Sequence, residues 1–70
     1  MFGLTKRQHE CYQFVLRYIE ENGFSPSYEE IKDAMGFSSK SGVHRLVVGL
    51  EDRGAIIRKP HQSRSIEVVE

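Results

Sequence analysis

A short segment in the second half of the chain concentrates small and polar side chains that suit hydrogen bonding to nucleic acid bases. Ser39 and Ser41 carry hydroxyl groups that donate or accept hydrogen bonds, and the imidazole of His44 can do either at a base edge. The guanidinium fork of Arg45 matches the O6 and N7 atoms of guanine in the major groove, the commonest base-specific contact. Gly42 leaves the approach to the groove free of a side chain. Arg45 thus suits a base contact, and the hydroxyls and the imidazole suit either a base edge or a phosphate.

A second group of residues suits the sugar-phosphate backbone. Ser27 stands at a predicted helix start, where its hydroxyl and the neighbouring amides can bind a phosphate. Basic side chains can neutralise phosphates, and each neutralised phosphate adds about 0.9 to the slope of log K against log salt concentration. The backbone contacts predicted on this basis are Ser27, Lys40, Arg53, Arg58, Lys59, Ser63 and Arg64.

The first helix that must support these residues begins near the N-terminus. Thr5 can accept a hydrogen bond from the Gln8 amide while the Gln8 side chain returns to Thr5, which makes a capping box. Apolar residues then repeat at helical spacing, at Cys11, Phe14, Val15, Tyr18 and Ile19. Gly23 ends the pattern, which predicts helix one over about residues 5–22.

The second helix is shorter. Ser27 and Glu30 form another capping box, and the apolar residues that follow on one face are Tyr28, Ile31, Ala34 and Met35. Gly36 ends this helix, which is predicted over about residues 28–35.

The third helix carries the candidate base contacts. Any serine of residues 38–41 can cap it, and the apolar repeat that follows is Val43, Leu46, Val47 and Leu50. Gly54 stops this helix, which is predicted over about residues 40–53. Gly42 and Gly49 each weaken it by about 1 kcal/mol relative to alanine. We expect glycine at these two positions because another group, either DNA or a neighbouring helix, approaches the third helix closely there.

A β-hairpin is predicted after the third helix, over about residues 55–69. Ile56 and Arg58 face one way while Ile57 and Lys59 face the other, and turn residues and a second alternating run follow. An isolated hairpin is barely stable in water, so its apolar side should pack on the helices.

The length and composition bound what this chain can be. Seventy residues with 39% hydrophobic side chains predict a single domain over residues 1–70, because domains usually run from roughly 50 to 250 residues. So small a core gives roughly 5 kcal/mol or less of net stability. No apolar run exceeds three residues, as at residues 55–57, which is far short of the roughly 18 to 20 that a membrane helix needs. The sequence therefore predicts a cytoplasmic protein without a membrane partner.

The net charge is zero, but the charge is unevenly distributed along the chain. Residues 1–37 carry four bases and six acids, a balance of −2, whereas residues 38–66 carry six bases and two acids, a balance of +4. The Debye length is roughly 8 Å at about 0.15 M salt, so the local patch rather than the total charge decides binding. The basic second half therefore remains suited to nucleic acid.

Residue types used in catalysis and metal binding are present without the necessary spacing. His9, Cys11, His44 and His61 lack the spacing of zinc-finger ligands, and a single cysteine excludes an internal disulfide. The serines cluster at helix caps rather than beside a base. The sequence predicts no enzymatic activity, no metal and no other cofactor.

Three helices followed by a two-stranded hairpin predict a mainly α fold with a small β-hairpin, of the α+β type. Two short helices joined by a tight turn at residues 36–38, with a basic hairpin after the third helix, are typical of a winged helix-turn-helix. In that architecture helix three enters the major groove. Its apolar side should pack against side chains of helices one and two, namely Val15, Ile19, Ile31 and Met35.

Several segments resemble the N-terminal DNA-binding domain of the LexA family, the repressors of the bacterial SOS response: residues 4–8, 23–27, 30–31, 39–46, 50–54 and 63–67. Residues 39–46 are especially similar to the recognition helix of alphaproteobacterial members. The resemblance implies sequence-specific binding of double-stranded DNA and regulation of transcription, with helix three reading the major groove and the hairpin gripping the backbone. It implies base contacts from Ser39, Ser41, Gly42, His44 and Arg45, and backbone contacts from Arg7, Ser27, Arg53, Ser63 and Arg64.

LexA proteins continue into a self-cleaving peptidase domain with a Ser-Lys dyad, which supplies most of the dimer contact and is not among these 70 residues. If the 70 residues are the complete product, dimerisation and cleavage do not carry over, and the chain could compete with a repressor for its operators. If they are a piece of a longer protein, ordinary repressor function stands. The expected target is a palindromic operator, bound best by a homodimer, in a bacterial or phage-infected cell.

The alternative function is that of a protein-interaction module. An acidic face, predicted to point away from DNA, could receive RNA polymerase, a full-length repressor or another regulator; its residues are Glu20, Glu21, Glu29 and Asp33. Substitution of His44 and Arg45 should remove DNA sequence preference without affecting such a partner. Charge reversal at Glu20 and Glu21 should have the opposite effect.

Overall fold

The computed structural model describes residues 3–59 and 65–69. Within them the chain forms, in order, helix α1 (Lys6–Asn22), helix α2 (Tyr28–Met35), helix α3 (Lys40–Asp52), strand β1 (Ile56–Arg58) and strand β2 (Ile66–Val68). The strands pair antiparallel, with Ile57 opposite Glu67. This arrangement is a mainly α winged helix-turn-helix and confirms the predicted fold class. No helix of the described residues has the length and apolar character that crossing a bilayer requires.

Local hydrogen bonds explain where α1 begins and ends. Thr5 Oγ1 accepts a hydrogen bond of 3.2 Å from the Gln8 amide, and the Thr5 amide donates to Gln8 Oε1 at 2.9 Å. The predicted capping box is thus confirmed, and it satisfies amides that have no partner inside the helix. At the other end Gly23 adopts a left-handed conformation with φ of 80°, and its amide donates to the Ile19 carbonyl oxygen.

The core lies where the three helices meet. Its fully buried helical members are Cys11 and Val15 of α1, Ile31 of α2, and Val43, Val47 and Leu50 of α3. Ile19, Met35 and Leu46 pack against this cluster and remain partly buried, as the sequence predicts. Ala34 was predicted on the same face and is exposed, so that prediction is wrong. The apolar face of α2 is narrower than the spacing of its apolar residues indicates.

The hairpin is anchored to the helices by its inward side chains. Ile56 and Ile66 are buried in the core, whereas Ile57 on the outward face is 51% exposed. The Ile66 amide also donates a hydrogen bond of 3.3 Å to Oγ of Ser25, a buried residue between α1 and α2. The hairpin therefore completes the core, as the instability of an isolated hairpin requires.

The two glycines of α3 face neighbouring side chains of the protein itself. A Cβ added at Gly42 would lie 3.1 Å from Cδ1 of Phe37, and one added at Gly49 would lie 2.5 Å from Nε2 of Gln8. Both distances are shorter than ordinary van der Waals contacts of about 3.5–4.0 Å. Gly42 is therefore closely packed against the ring of Phe37, whereas the atom next to Gly49 is the end of a flexible side chain that can move aside.

The buried thiol of Cys11 makes stability depend on pH in the alkaline range. Burial raises the pKa of the Cys11 thiol from 9.0 to about 11, and the nearby charge of Arg7 acts weakly in the opposite direction. Between these pKa values the unfolded thiol is ionised while the folded thiol keeps its proton. Unfolding then releases a proton, so we expect the free energy of unfolding to fall by roughly 1.4 kcal/mol per pH unit in that window.

Urea denaturation at pH 9, 10 and 11 measures this dependence, with Cys11→Ala as the matched control. The other ionisable groups are the same in both proteins, so the difference between the two slopes isolates Cys11. Equal slopes for wild type and variant would contradict the expectation.

Candidate nucleic-acid interface

The outward face of α3 presents three of the predicted base contacts together. Ser41, His44 and Arg45 are exposed, and their spacing of three and four residues places them on one side of the helix. Val43, Val47 and Leu50 on the opposite side are fully buried. The core thus fixes the direction in which the polar side chains point.

Ser39 and Ser41 form a pair at the start of α3. Ser39 is the N-cap residue, and its side chain makes no hydrogen bond to the backbone of the helix. Its hydroxyl instead lies 2.7 Å from the Ser41 hydroxyl, and either can be the donor. A pair of hydroxyls hydrogen-bonded in this way retains the capacity to accept from or donate to an outside group.

His44 and Arg45 differ in how they are held. The His44 ring lies 6.3 Å from the ring of Tyr28 on α2, at an interplanar angle of 52°. Arg45 has no hydrogen bond, ion pair or ring contact with any residue in 3–59 or 65–69. Its guanidinium donors are therefore not used by any of the described residues.

Lys40, a predicted backbone contact, is paired with an acid. Its Nζ lies 3.4 Å from Oε2 of Glu29, while Oε1 of Glu29 is 3.2 Å from Nζ of Lys32. Hydrogen bonds from Lys32 and then Lys40 hold the pKa of Glu29 below its usual value. The expectation that Glu29 belongs to an acidic face separate from the basic helix is wrong, because Glu29 borders the start of α3.

Ser27 caps α2 as the sequence predicts. Its Oγ accepts a hydrogen bond of 3.2 Å from the Glu30 amide, and its own amide donates to Glu30 Oε1 at 2.7 Å. The hydroxyl proton takes no part in this capping box and can be donated to a phosphate.

The cations of the hairpin are tied to other residues. Arg58 is within 3.2 Å of Oε1 of Glu51 through both Nε and Nη2, and its Nη1 donates to the Tyr28 hydroxyl at 3.2 Å. Nζ of Lys59 lies 2.8 Å from Oε1 of Glu67 across the hairpin, which raises the pKa of Lys59. Lys59 is exposed and its pairing leaves it open to solvent, whereas Arg58 points towards the helices.

Arg7 and Arg53 also bond within the domain. Nη2 of Arg7 donates to the carbonyl oxygen of Met35, where α2 ends, at 2.9 Å, and its guanidinium lies 4.8 Å from the centre of the Phe37 ring. Arg53, which caps α3, donates through Nη1 to the carbonyl oxygen of Gly3. Both side chains remain exposed. Ser63 and Arg64 lie outside the described residues, so their predicted contacts stay predictions.

Three residues near this interface were not singled out by the sequence patterns. Tyr28 was placed on the apolar face of helix two, Glu51 was given no role, and Phe37 was noted only as part of the turn at residues 36–38. Their partners lie in other elements, which local spacing does not indicate. A tyrosine directly after a capping serine is the one local signal that could have drawn attention to Tyr28, since its hydroxyl needs a partner when partly buried.

The two N-cap serines allow a direct test of capping. Ser27→Ala should lower the free energy of unfolding by about 1 kcal/mol because it removes a formed capping bond. The melting temperature should fall by roughly 4–8 °C for a domain of this size. Ser39→Ala, which removes no such bond, should change the free energy of unfolding by less than about 0.5 kcal/mol. Thermal denaturation followed by circular dichroism measures both, and equal losses would contradict the structure.

Similarity to known proteins narrows what this interface is for. The chain matches the LexA DNA binding domain family over residues 1–65. It is 50% identical over 66 residues to the LexA repressors of Erythrobacter litoralis and Novosphingobium aromaticivorans, a match that covers 94% of this chain and 28% of each relative. The LexA repressor of Gluconacetobacter diazotrophicus is 47% identical, with 94% of this chain and 26% of the relative covered. The chain thus spans about a quarter of the length of these relatives.

Among the described residues, no group of three or more His, Cys, Asp or Glu side chains could hold a metal ion.

Proposed function

This chain belongs to the LexA DNA-binding domain family, and from that membership we propose that it binds double-stranded DNA sequence-specifically and regulates transcription. The observation that carries the proposal is Arg45, an exposed guanidinium without a partner in the described part of the chain, on the outward side of a helix that the core holds in place. A side chain so placed can reach a base edge when α3 enters the major groove.

Base recognition is assigned to the exposed residues at the start of α3. Arg45 donates to O6 and N7 of a guanine, and His44 donates or accepts at a neighbouring base. The hydroxyls of Ser39 and Ser41 add hydrogen bonds to a base or a phosphate. Gly42 remains in the proposed set, although its contact with Phe37 gives it a packing role in the free domain.

Backbone contacts are assigned according to how the free domain holds each residue. Ser27 can donate its hydroxyl proton to a phosphate, and Lys40, Arg53 and Lys59 are exposed cations with single acidic or carbonyl partners. Surface pairs of this kind are weak, so a phosphate can replace the partner. Arg7 and Arg58 each have partners on more than one element, and their proposed phosphate contacts would compete with those internal bonds. Ser63 and Arg64 complete the proposed set.

The target is proposed to be a palindromic operator occupied by two copies of the module. One winged module contacts one half-site, and two linked modules gain affinity through their effective concentration. Whether the chain acts as a repressor or as a competitor for operators depends on its context in the cell. Weak binding of a single module is compatible with either role.

Fewer features of the structure support the alternative function, which is binding of a protein such as RNA polymerase or another regulator. Glu29 and Asp33 are both paired with lysines, so Glu20 and Glu21 are the members of the acidic face without an ion pair in the described residues. The acidic face is therefore smaller than its sequence indicates, and DNA binding is the better supported function.

The test is a fluorescence-anisotropy titration of the chain against a LexA-type palindrome and a scrambled duplex of equal composition, at two salt concentrations. We expect tighter binding to the palindrome, with a salt slope of about 0.9 for each phosphate neutralised. The variant Glu20→Lys/Glu21→Lys should retain the preference for the palindrome. Equal binding of the wild type to both duplexes would contradict specific recognition by this chain.

A further inference from the structure

Tyr28 lies between the helix that carries the base-reading residues and the hairpin, and it contacts both. It is the first residue of α2 and is half-buried. Its ring lies 6.3 Å from the ring of His44 on α3. Its hydroxyl oxygen accepts a hydrogen bond of 3.2 Å from Nη1 of Arg58 on β1. One side chain therefore connects three elements of the proposed DNA-binding surface.

The ring contact restricts the side chain of His44. Aromatic rings with centres about 4.5–7 Å apart attract one another beyond the burial of their area. An exposed histidine without a neighbour would sample several rotamers, and fixing one of them on DNA would lower affinity. Tyr28 supplies such a neighbour to the His44 imidazole in the free domain.

The hydroxyl makes a separate contribution. Arg58 is held from one side by Tyr28 on α2 and from the other by Glu51 on α3, which accepts from Nε and Nη2 at 3.2 Å each. A phenylalanine would fill the same space but would accept no hydrogen bond. The bond to Arg58 therefore indicates a role beyond filling space, since it links the start of α2 to the strand that leads into the wing.

We propose that Tyr28 is a positioning residue for sequence recognition. Its ring sets the orientation in which His44 meets its base, and its hydroxyl, through Arg58, holds the hairpin in a fixed position relative to the start of α2. Tyr28 acts through these two residues and reads no base itself. The proposal rests on the proposed function, because it assigns a part of the recognition of DNA.

Two variants separate the ring from the hydroxyl, and each is examined with and without DNA. Without DNA, NMR records the imidazole resonances of His44 and the Nε–H resonance of Arg58. With DNA, anisotropy titrations against duplexes changed one base pair at a time give the base preference at each position. Circular dichroism checks that each variant is folded, and Tyr28→Met replaces Tyr28→Leu if the latter is not.

Tyr28→Leu removes the ring and the hydroxyl together, so the effects that it adds to those of Tyr28→Phe belong to the ring. It should shift the His44 imidazole resonances, because the neighbouring aromatic ring is lost. Discrimination at the base pair read by His44 should fall about fivefold, while discrimination at the base pair read by Arg45 stays unchanged. Tyr28→Phe should leave the His44 resonances and the base preferences in place. It should shift the Arg58 resonance and weaken binding to all duplexes alike, by about twofold to tenfold.

A double-variant control tests whether Tyr28 acts through His44. In a His44→Ala background, Tyr28→Leu should have no further effect on base preference. If Tyr28→Leu instead weakens binding to every duplex equally, or leaves the His44 resonances unmoved, Tyr28 only supports the fold and the proposal is wrong. If the wild type shows no base preference, the proposed function is wrong. The His44 imidazole resonances of wild type and Tyr28→Leu still report separately whether the Tyr28 ring acts on His44.

Discussion

Replacing Arg45 by alanine should abolish most of the preference of this chain for a palindromic operator over a scrambled duplex. A guanidinium fork on guanine contributes about 1–3 kcal/mol of discrimination, which corresponds to roughly five- to 150-fold at each half-site. The fold should be unaffected, because Arg45 is exposed and makes no hydrogen bond or ion pair with the described residues. The loss should therefore appear in DNA binding and not in the melting temperature.

Two further variants separate the shape of the guanidinium from its charge. Arg45→Lys keeps the charge but lacks the planar fork, so it should retain affinity for both duplexes while losing most of the preference. Arg17→Ala removes the same charge from the exposed side of α1 and should keep the preference. Anisotropy titrations at two salt concentrations measure all of these. A preference that survives Arg45→Ala at full strength would show that α3 does not read DNA through this residue.

Ile31→Ala should bring the domain close to unfolding at room temperature. Ile31 is fully buried where α2 meets the other helices, and removing a buried isoleucine to alanine costs about 2–5 kcal/mol. A domain of this size has roughly 5 kcal/mol or less in total, so the loss is comparable to the whole stability. We expect broad thermal unfolding that begins near 25 °C.

The same substitution on the hairpin provides the control. Ile57→Ala removes an isoleucine that is 51% exposed, and it should cost less than about 1 kcal/mol, mostly through lower strand propensity. Urea denaturation of both variants beside the wild type gives the comparison. Similar losses at the two positions would mean that the core is not where the structure places it.

The elements with local signals were predictable from the sequence. The capping boxes of Thr5 with Gln8 and of Ser27 with Glu30 involve residues three apart, so residue types alone indicate the bonds that the structure contains. Helical spacing likewise identified Val43, Val47 and Leu50 as the buried side of α3. The outward position of Arg45 and His44 follows from the same periodicity.

Contacts between elements were not predictable in this way. Arg7 reaches the carbonyl oxygen of Met35 across 28 positions of sequence, and Arg58 reaches the hydroxyl of Tyr28 across 30. Both were interpreted as cations available to DNA, because a sequence shows charge but not the crossing angle of two helices or the rotamer of a long side chain. Glu29 was separated from Lys40 for the same reason. Positions on one helix are thus more secure predictions than pairings between helices.

The bond between Ser25 and Ile66 bears on when the domain can fold during synthesis. Ile66 belongs to the core, and its amide is held by Ser25, which lies 41 positions earlier in the sequence and follows α1. Domains generally fold as units on the ribosome. A nascent chain that has only reached the end of α3 carries the proposed base contacts on an unfinished core. The outward face of α3 is therefore held in its final position only once β2 has been synthesised.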